Sequence, residues 1–383
     1  MPSVKKIYHY LSITVIFLVI ILTSTGCKES YTKVQKSTDV NYKLAKAIEY
    51  YHKKKYYQAI PIFEELIGLL KGDKRAEDIY YYYSDAQFQE KNYVIAAYHF
   101  KRFVELYPES KWAEEALFKY SESFSKQSPT VDLEQDNTAR GIDAYQYFIN
   151  MFPNSSRVPD CNKIIDKLRR KLELKALSIA DLYYKTENYR AAALSYKQAM
   201  REFPDIDEAE RLSFMIVKSD YKYAKLSIIN KKAERYKDVI KEYKTFEDRY
   251  PTSIYKSDAE KYFEDSKYYV TKSLMDDALA AKPEDRERLF NDVVGSNTQF
   301  GSTLKSEKMK TMSNDLMLQA QFLIVKNSYS IAVNAPDIQK KQKYEAFILS
   351  YQKFIDKFAD SKYKKQAEKI YNTTITTLQK LNK

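Results

Sequence analysis

From Lys43 onward, apolar residues fall three and four positions apart, the spacing that gathers side chains on one face of an α-helix. Ala176, Ile179, Ala180 and Tyr183 form one such face, Asn188 interrupts it, and Ala192, Tyr196 and Ala199 form the next. Phe203 and Pro204 close the second stretch, because proline cannot continue a helix. This predicts two antiparallel helices, A and B. Small Ala180 and Ala192 let the backbones approach, and Tyr196 fills the space toward the next hairpin. The pattern recurs. Tyr236, Val239, Ile240, Tyr243, Phe246, Tyr250, Pro251, Ser253, Tyr255 and Ala259 return as Tyr93, Ala96, Ala97, Phe100, Phe103, Tyr107, Pro108, Ser110, Trp112 and Ala116. They return again as Tyr344, Phe347, Ile348, Tyr351, Phe354, Phe358, Ser361, Tyr363 and Ala367. Such recurrence predicts an all-α superhelix of about five to six stacked hairpins.

Departures from the pattern mark the organisation. The first repeat (Ala47, Tyr50, Tyr56, Ala59, Phe63, Leu66) lacks a closing proline, and the third carries a long loop from Ser128 to Asn137. A long helix is predicted over Tyr255–Ala281, followed by an irregular stretch, 282–306, in which Gly295 and Gly301 suggest a hinge, a functional loop or a tolerated insertion. Three more helices are expected near Glu307–Ile331, Ile338–Phe358 and Lys362–Leu381. At the other end, Lys5 and Lys6 precede an apolar run from Leu11 to Leu22 and then Thr23-Ser24-Thr25-Gly26-Cys27. A basic start, a short apolar core and small residues read as a secretory signal. The run is shorter than the ~20 apolar residues a membrane span needs. The expected domains are 1–26 signal peptide, 27–42 N-terminal linker, 43–281 repeat superhelix, 282–306 irregular linker and 307–383 C-terminal helical module with a final repeat-like unit.

Composition sharpens this picture in a few respects. Tyr (36) far outnumbers Gly (6), as suits long helices packed through aromatic rings. Outside the signal the one cysteine besides Cys27 is Cys161, so no internal disulfide is expected. Cys161 stands where Ala116 and Ala259 stand in sister repeats and reads as a small buried side chain. The net charge of +12 is compatible with anionic headgroups or acidic peptides, and export argues against nucleic acid. Catalytic chemistry is not expected. His52 and His99 are isolated, there is no phosphate-binding glycine loop and no Gly-x-Ser-x-Gly, and acid pairs such as Glu64-Glu65 and Asp276-Asp277 diverge on helices. No metal and no cofactor are implied.

The hairpin spacing resembles the tetratricopeptide repeat. Thr23 to Cys27 resembles a bacterial lipobox, with Ser24 where leucine is preferred, and implies acylation of Cys27; Lys28 after it implies transport to the outer membrane. The middle of the chain runs through Asp136-Asn137-Thr138-Ala139, Phe148, Phe152-Pro153-Asn154-Ser155-Ser156, Asp160, Leu168, Leu172, Ala180, Tyr183-Tyr184, Asn188-Tyr189, Ala191-Ala192 and Phe203-Pro204. In that order and spacing, over about Lys43 to Leu274, it resembles the BamD family of outer-membrane assembly lipoproteins. The resemblance implies a non-enzymatic scaffold on the periplasmic face of the outer membrane. Its implied partners are the POTRA domains of a BamA-like barrel protein, other assembly-machinery lipoproteins and unfolded β-barrel precursors. The stretch after Met275 exceeds the usual family length and implies an extra module.

Tyr50, Tyr51, Tyr81 and Tyr82 are the candidate groove contacts, since a curved row of A helices can hold an extended peptide through aromatic side chains. Simple helix packing is the competing reading of the same residues. Tyr80 and Tyr83, at signature positions, are expected in the core. Lys53-Lys54-Lys55, in the first hairpin turn, faces either headgroups or solvent. Two other roles fit the same repeat. One is an adaptor between cell-wall enzymes and envelope constriction, which tends to carry a coiled coil not found here. The other is a glycan-capturing surface lipoprotein, which tends to expose tryptophans, whereas this chain has only Trp112.

Overall fold

The computed structural model describes residues 31–381, and within them every regular element is helical. In chain order the helices are α1 Tyr31–Lys36, α2 Val40–His52, α3 Tyr56–Leu69, α4 Ala76–Gln89, α5 Tyr93–Leu106, α6 Ala113–Gln127, α7 Asp136–Met151 and α8 Val158–Lys185. There follow α9 Tyr189–Glu202, α10 Ala209–Lys225, α11 Ile229–Arg249, α12 Lys256–Ala280, α13 Pro283–Gln299, α14 Glu307–Val333, α15 Asp337–Phe358 and α16 Lys364–Leu381. Two compact units divide at 172/173, inside α8. In each unit consecutive helices pack as hairpins, the tetratricopeptide-type architecture the periodicity predicts. None of the described helices is long and apolar enough to cross a membrane.

The aromatic-Pro-x-Ser signature builds three of the turns from a B helix to the next A helix. In the first of these turns Tyr107 ends α5 by donating its N–H to the Phe103 carbonyl at 2.8 Å, and Ser110 N–H closes back on the Tyr107 carbonyl at 3.1 Å. The serine Oγ then accepts the N–H two residues on: Ser110 from Trp112 at 3.0 Å, Ser155 from Arg157 at 3.1 Å, Ser253 from Tyr255 at 3.0 Å. That fixes the residue after the turn against the preceding A helix. Trp112 stacks on Tyr81 at 4.3 Å, Tyr255 on Phe214 at 4.8 Å and Tyr363 on Phe322 at 4.5 Å, while the Arg157 guanidinium takes the same place 4.5 Å over Phe118. One sequence position is thus used repeatedly to join one repeat to the next, with a planar group in every case.

Three of the A-to-B turns are also alike. Lys54, Lys91 and Glu187 each stand two residues past an A helix with φ of 57°, 64° and 60°. This left-handed conformation lets the following N–H groups reach back to the helix carbonyls.

Two boundaries and one buried face differ from those predicted. Residues 31–42 do not behave as a linker: Val34 is fully buried, Tyr31 donates to the Gln58 carbonyl at 3.3 Å, and α2 already begins at Val40, capped by the Asp39 carboxylate. The stretch 282–306 is not irregular. Pro283 at the first helical position and Glu284-Asp285 in the first turn start α13 well, and Phe290 and Val293, three apart, bury against Met275, Ala278 and Ala320. Gly295 is tolerated on the exposed side of that helix, while Gly301 forms a short 3₁₀ turn pressed against Asn297 and Ser313. Lastly, the buried stripe of α8 in the second unit is Leu177, Ala180 and partly Tyr184, leaving Ile179 and Tyr183 outward. Both stripes are apolar at helical spacing, and packing selects one of them.

Candidate functional site

In the first unit the A helices α2, α4 and α6 lie side by side, with α4 against both neighbours. The run Tyr80-Tyr81-Tyr82-Tyr83 on α4 distributes around that helix. Tyr80 and Tyr83 are core residues on either side of His99, whose Nδ1 lies 3.1 Å from the Tyr80 hydroxyl; burial raises the Tyr80 phenol to about 12 and lowers the His99 pKa. Tyr81 is only 5% exposed, sealed by Trp112, and on α2 Tyr50 is only 8% exposed, edge-on to Tyr31. Of the four candidate contacts, Tyr50 and Tyr81 therefore serve the core as they stand. Each sits on the stripe its helix packs inward, and the adjacent residue does not.

Tyr51 and Tyr82 are those adjacent residues, both half-buried, with ring centres 4.8 Å apart between α2 and α4. Tyr82 continues to Trp112 at 6.1 Å. The structure so brings Tyr51, Tyr82 and Trp112 into one aromatic band across three A helices. Polar groups hold the band in place. Tyr51 Oη donates to Asp85 Oδ2 at 2.5 Å, and Lys119 Nζ lies 3.1 Å from Asp85 Oδ1 and 4.5 Å above the Phe88 ring. Lys119 also approaches Glu115 at 3.9 Å, and Glu115 pairs with Arg157. Trp112 Nε1 donates to Asp78 Oδ1 at 2.7 Å, and Asp78 also faces Lys111 at 3.1 Å. Burial, then the Asp85 carboxylate, pushes the Tyr51 phenol far above its ordinary range, so it is a donor at all physiological pH.

Asp85 and Lys119 were not among the residues expected at the site. Their signal was a charge placed where the helical period calls for an apolar residue: Asp85 lies between Ser84 and Ala86, both buried. Buried charges persist only when paired, and these two are paired with each other.

The other sequence-derived candidates are dispersed. Cys27 lies outside the described residues. Lys53-Lys54-Lys55 occupies the α2–α3 turn, with Lys53 paired to Glu49 at 2.6 Å. Cys161 is fully buried, and burial pushes its thiol up to about 11, which suits packing and leaves little nucleophilic thiolate. The long third-repeat loop is closed on itself. Gln135 Nε2 donates to the Thr130 and Leu133 carbonyls at 2.8 Å each, and Lys171 Nζ reaches the Pro129 carbonyl at 2.9 Å. Among the described residues no group of three or more His, Cys, Asp or Glu is placed to hold a metal ion.

Comparison with known proteins bears on this arrangement. The family model YfiO, described as outer membrane lipoprotein, matches residues 35–237. A curated relative, the putative outer membrane protein assembly factor BamD of Aquifex aeolicus (strain VF5), is 23% identical over 176 residues, covering 45% of this chain and 58% of the relative. The match thus spans little more than half of that relative's length. Among solved structures, the complex of the yeast Sti1 TPR2AB domain with pHSP90 is 10% identical over 73% of this chain and 98% of that one, with a TM-score of 0.28. Naa15/Naa10 bound to HypK-THB is 11% identical over 88% and 63%, with a TM-score of 0.23.

Proposed function

The chain belongs to the YfiO family of outer membrane lipoproteins, and from that premise we propose that it is a lipid-anchored scaffold of the β-barrel assembly machinery. The observation that carries the proposal is the extent of the family match, residues 35–237, which takes in α2 to α7 with the aromatic band and continues into α11. In this reading Cys27 carries the acyl chains, which at ~0.8 kcal/mol per buried methylene hold the protein on the periplasmic face of the outer membrane. The partners are the POTRA domains of a BamA-like barrel, companion lipoproteins and unfolded β-barrel precursors. The name of the Aquifex relative, an assembly factor, points the same way.

The aromatic band suits an extended precursor segment. Such a segment presents alternate side chains to one side, and half-buried rings offer apolar area without the entropy cost of flexible side chains. Tyr51 and Tyr82 are the proposed contacts, with Asp85 and Lys119 holding them in position. The glycan-capture alternative is less favoured, because the stacking face of Trp112 is taken by Tyr81 and its N–H by Asp78. Depletion of the protein in its own host tests the role. Outer-membrane barrel proteins should fall while lipoproteins and periplasmic proteins persist; unchanged barrel levels would refute the proposal.

A further inference from the structure

In the second unit, the turn between α10 and α11 inverts the usual order of burial. Ser227 points inward, its Oγ donating to the Tyr223 carbonyl at 2.6 Å and accepting from the Arg235 guanidinium, which lies 4.0 Å over the Tyr223 ring. Its neighbours Leu226, Ile228 and Ile229 point outward and are 68%, 66% and 49% exposed. The small polar residue is held inside while three aliphatic side chains stand in water, an arrangement that marks a contact surface. The turn is braced by these bonds, so the exposure is built into the fold. Leu279, near the end of α12, is exposed as well. Beside the turn, Ile229 and Ala233 line a shallow cavity together with Leu274 and Asp277 of α12.

The charges around the tip say what covers it. Residues 222–232 contain Lys222, Lys225, Lys231 and Lys232 and no acidic residue. Lys231 pairs with Glu234 at 2.8 Å, while Lys222, Lys225 and Lys232 make no ion pair among the described residues. Glu234 and Asp238 of α11 and Asp277 of α12 are the acids that line the cavity beside Ile229. An exposed aliphatic tip flanked by ammonium groups that make no ion pair among the described residues matches a bilayer interface, with an apolar layer below and phosphates around it.

We infer that the α10–α11 turn is a second membrane contact, in which Leu226, Ile228 and Ile229 enter the interfacial layer of an anionic phospholipid bilayer and Lys222, Lys225 and Lys232 sit among its phosphates. This rests on the family's place at a membrane and is independent of the assembly role. Together with an acyl anchor it would orient the second unit against the bilayer as well as tether the chain.

The test uses the lipidated full chain in vesicles of phosphatidylethanolamine and phosphatidylglycerol with brominated acyl chains. Ile228→Trp reports the tip. Ile254→Trp, at a position 85% exposed in the α11–α12 turn, is the control, and Trp112 in the unsubstituted chain gives the background. Both substitutions are on exposed side chains and leave the core alone. The Ile228→Trp emission should shift blue and be quenched by the brominated chains, with Ile254→Trp unaffected. Adding Lys222→Gln, Lys225→Gln and Lys232→Gln should lower the inserted fraction about tenfold. Equal quenching at positions 228 and 254, or no quenching at 228, would overturn the inference. So would photocrosslinking of position 228 to a protein while the brominated chains stay silent, which would make the turn a protein-docking surface instead.

Discussion

Asp85 joins two residues that need it for different reasons: it accepts from the Tyr51 hydroxyl at 2.5 Å and neutralises the mostly buried Lys119 at 3.1 Å. Tyr51→Phe removes one charge-assisted hydrogen bond and should cost about 2 kcal/mol in urea denaturation. Asp85→Ala strands the Lys119 ammonium and should cost more, about 3 kcal/mol, whereas Asp85→Leu combined with Lys119→Met should recover most of that loss. A double variant no better than Asp85→Ala would mean that the pair matters for more than mutual neutralisation. In the second unit Asp220 has the opposite character. Burial raises its carboxyl to about 6, with Lys197, 3.4 Å away, only partly countering. The folded pKa lies above the unfolded value of ~3.9, so the folded state binds the proton more tightly. Its ionisation therefore costs stability progressively as pH rises from about 4 to about 6, and fully above that. Asp220→Asn should stabilise the protein by about 1–2 kcal/mol at pH 7 and not at pH 4, as read from melting curves at the two pH values. A loss of stability at pH 7 would show that the Lys197 pairing outweighs burial. Little of this was legible in the sequence. Periodicity separates inward from outward positions, and it placed Tyr80 and Tyr83 in the core. It did not separate Tyr81 from Tyr82, because the ring that seals Tyr81 is Trp112 from the next repeat.

At the scale of the helix and turn, the sequence is far more transparent. The aromatic-Pro-x-Ser signature announces helix end, turn and helix start within a few residues, and the structure uses each of them in place. The exception is 282–306, where two glycines and a break in the repeat pattern concealed α13. A helix with a single buried stripe of Phe290 and Val293 leaves a weak periodic trace. Two substitutions test the turns. Lys91 holds φ at 64° with no glycine to relieve the strain, so Lys91→Gly should raise stability by about 0.5–1 kcal/mol, and a loss in thermal melts would contradict the left-handed turn. Gly301 has Asn297 and Ser313 side chains where a Cβ would stand. Gly301→Ala should destabilise α13 and α14 by about 1–3 kcal/mol, seen as faster amide exchange in those helices with the first unit unchanged. Unaltered exchange would mean that the 3₁₀ turn adjusts freely.

For the whole molecule, the fold follows from recurrence: repeats that each bury one face against the next make an all-α array without a single central core. Function is less local. The family match covers α2 to α10 in full and stops within α11, and the helices beyond it use the same stacking position, Tyr363 on Phe322, to extend the array. Affinity purification of the tagged protein from membranes in mild detergent, followed by mass spectrometry, addresses the assembly role most directly. A scaffold of the β-barrel assembly machinery should bring down a POTRA-containing barrel protein in stoichiometric amount. Recovery of cell-wall enzymes or a glycan transporter without such a barrel would contradict that role, while leaving the repeat fold as described.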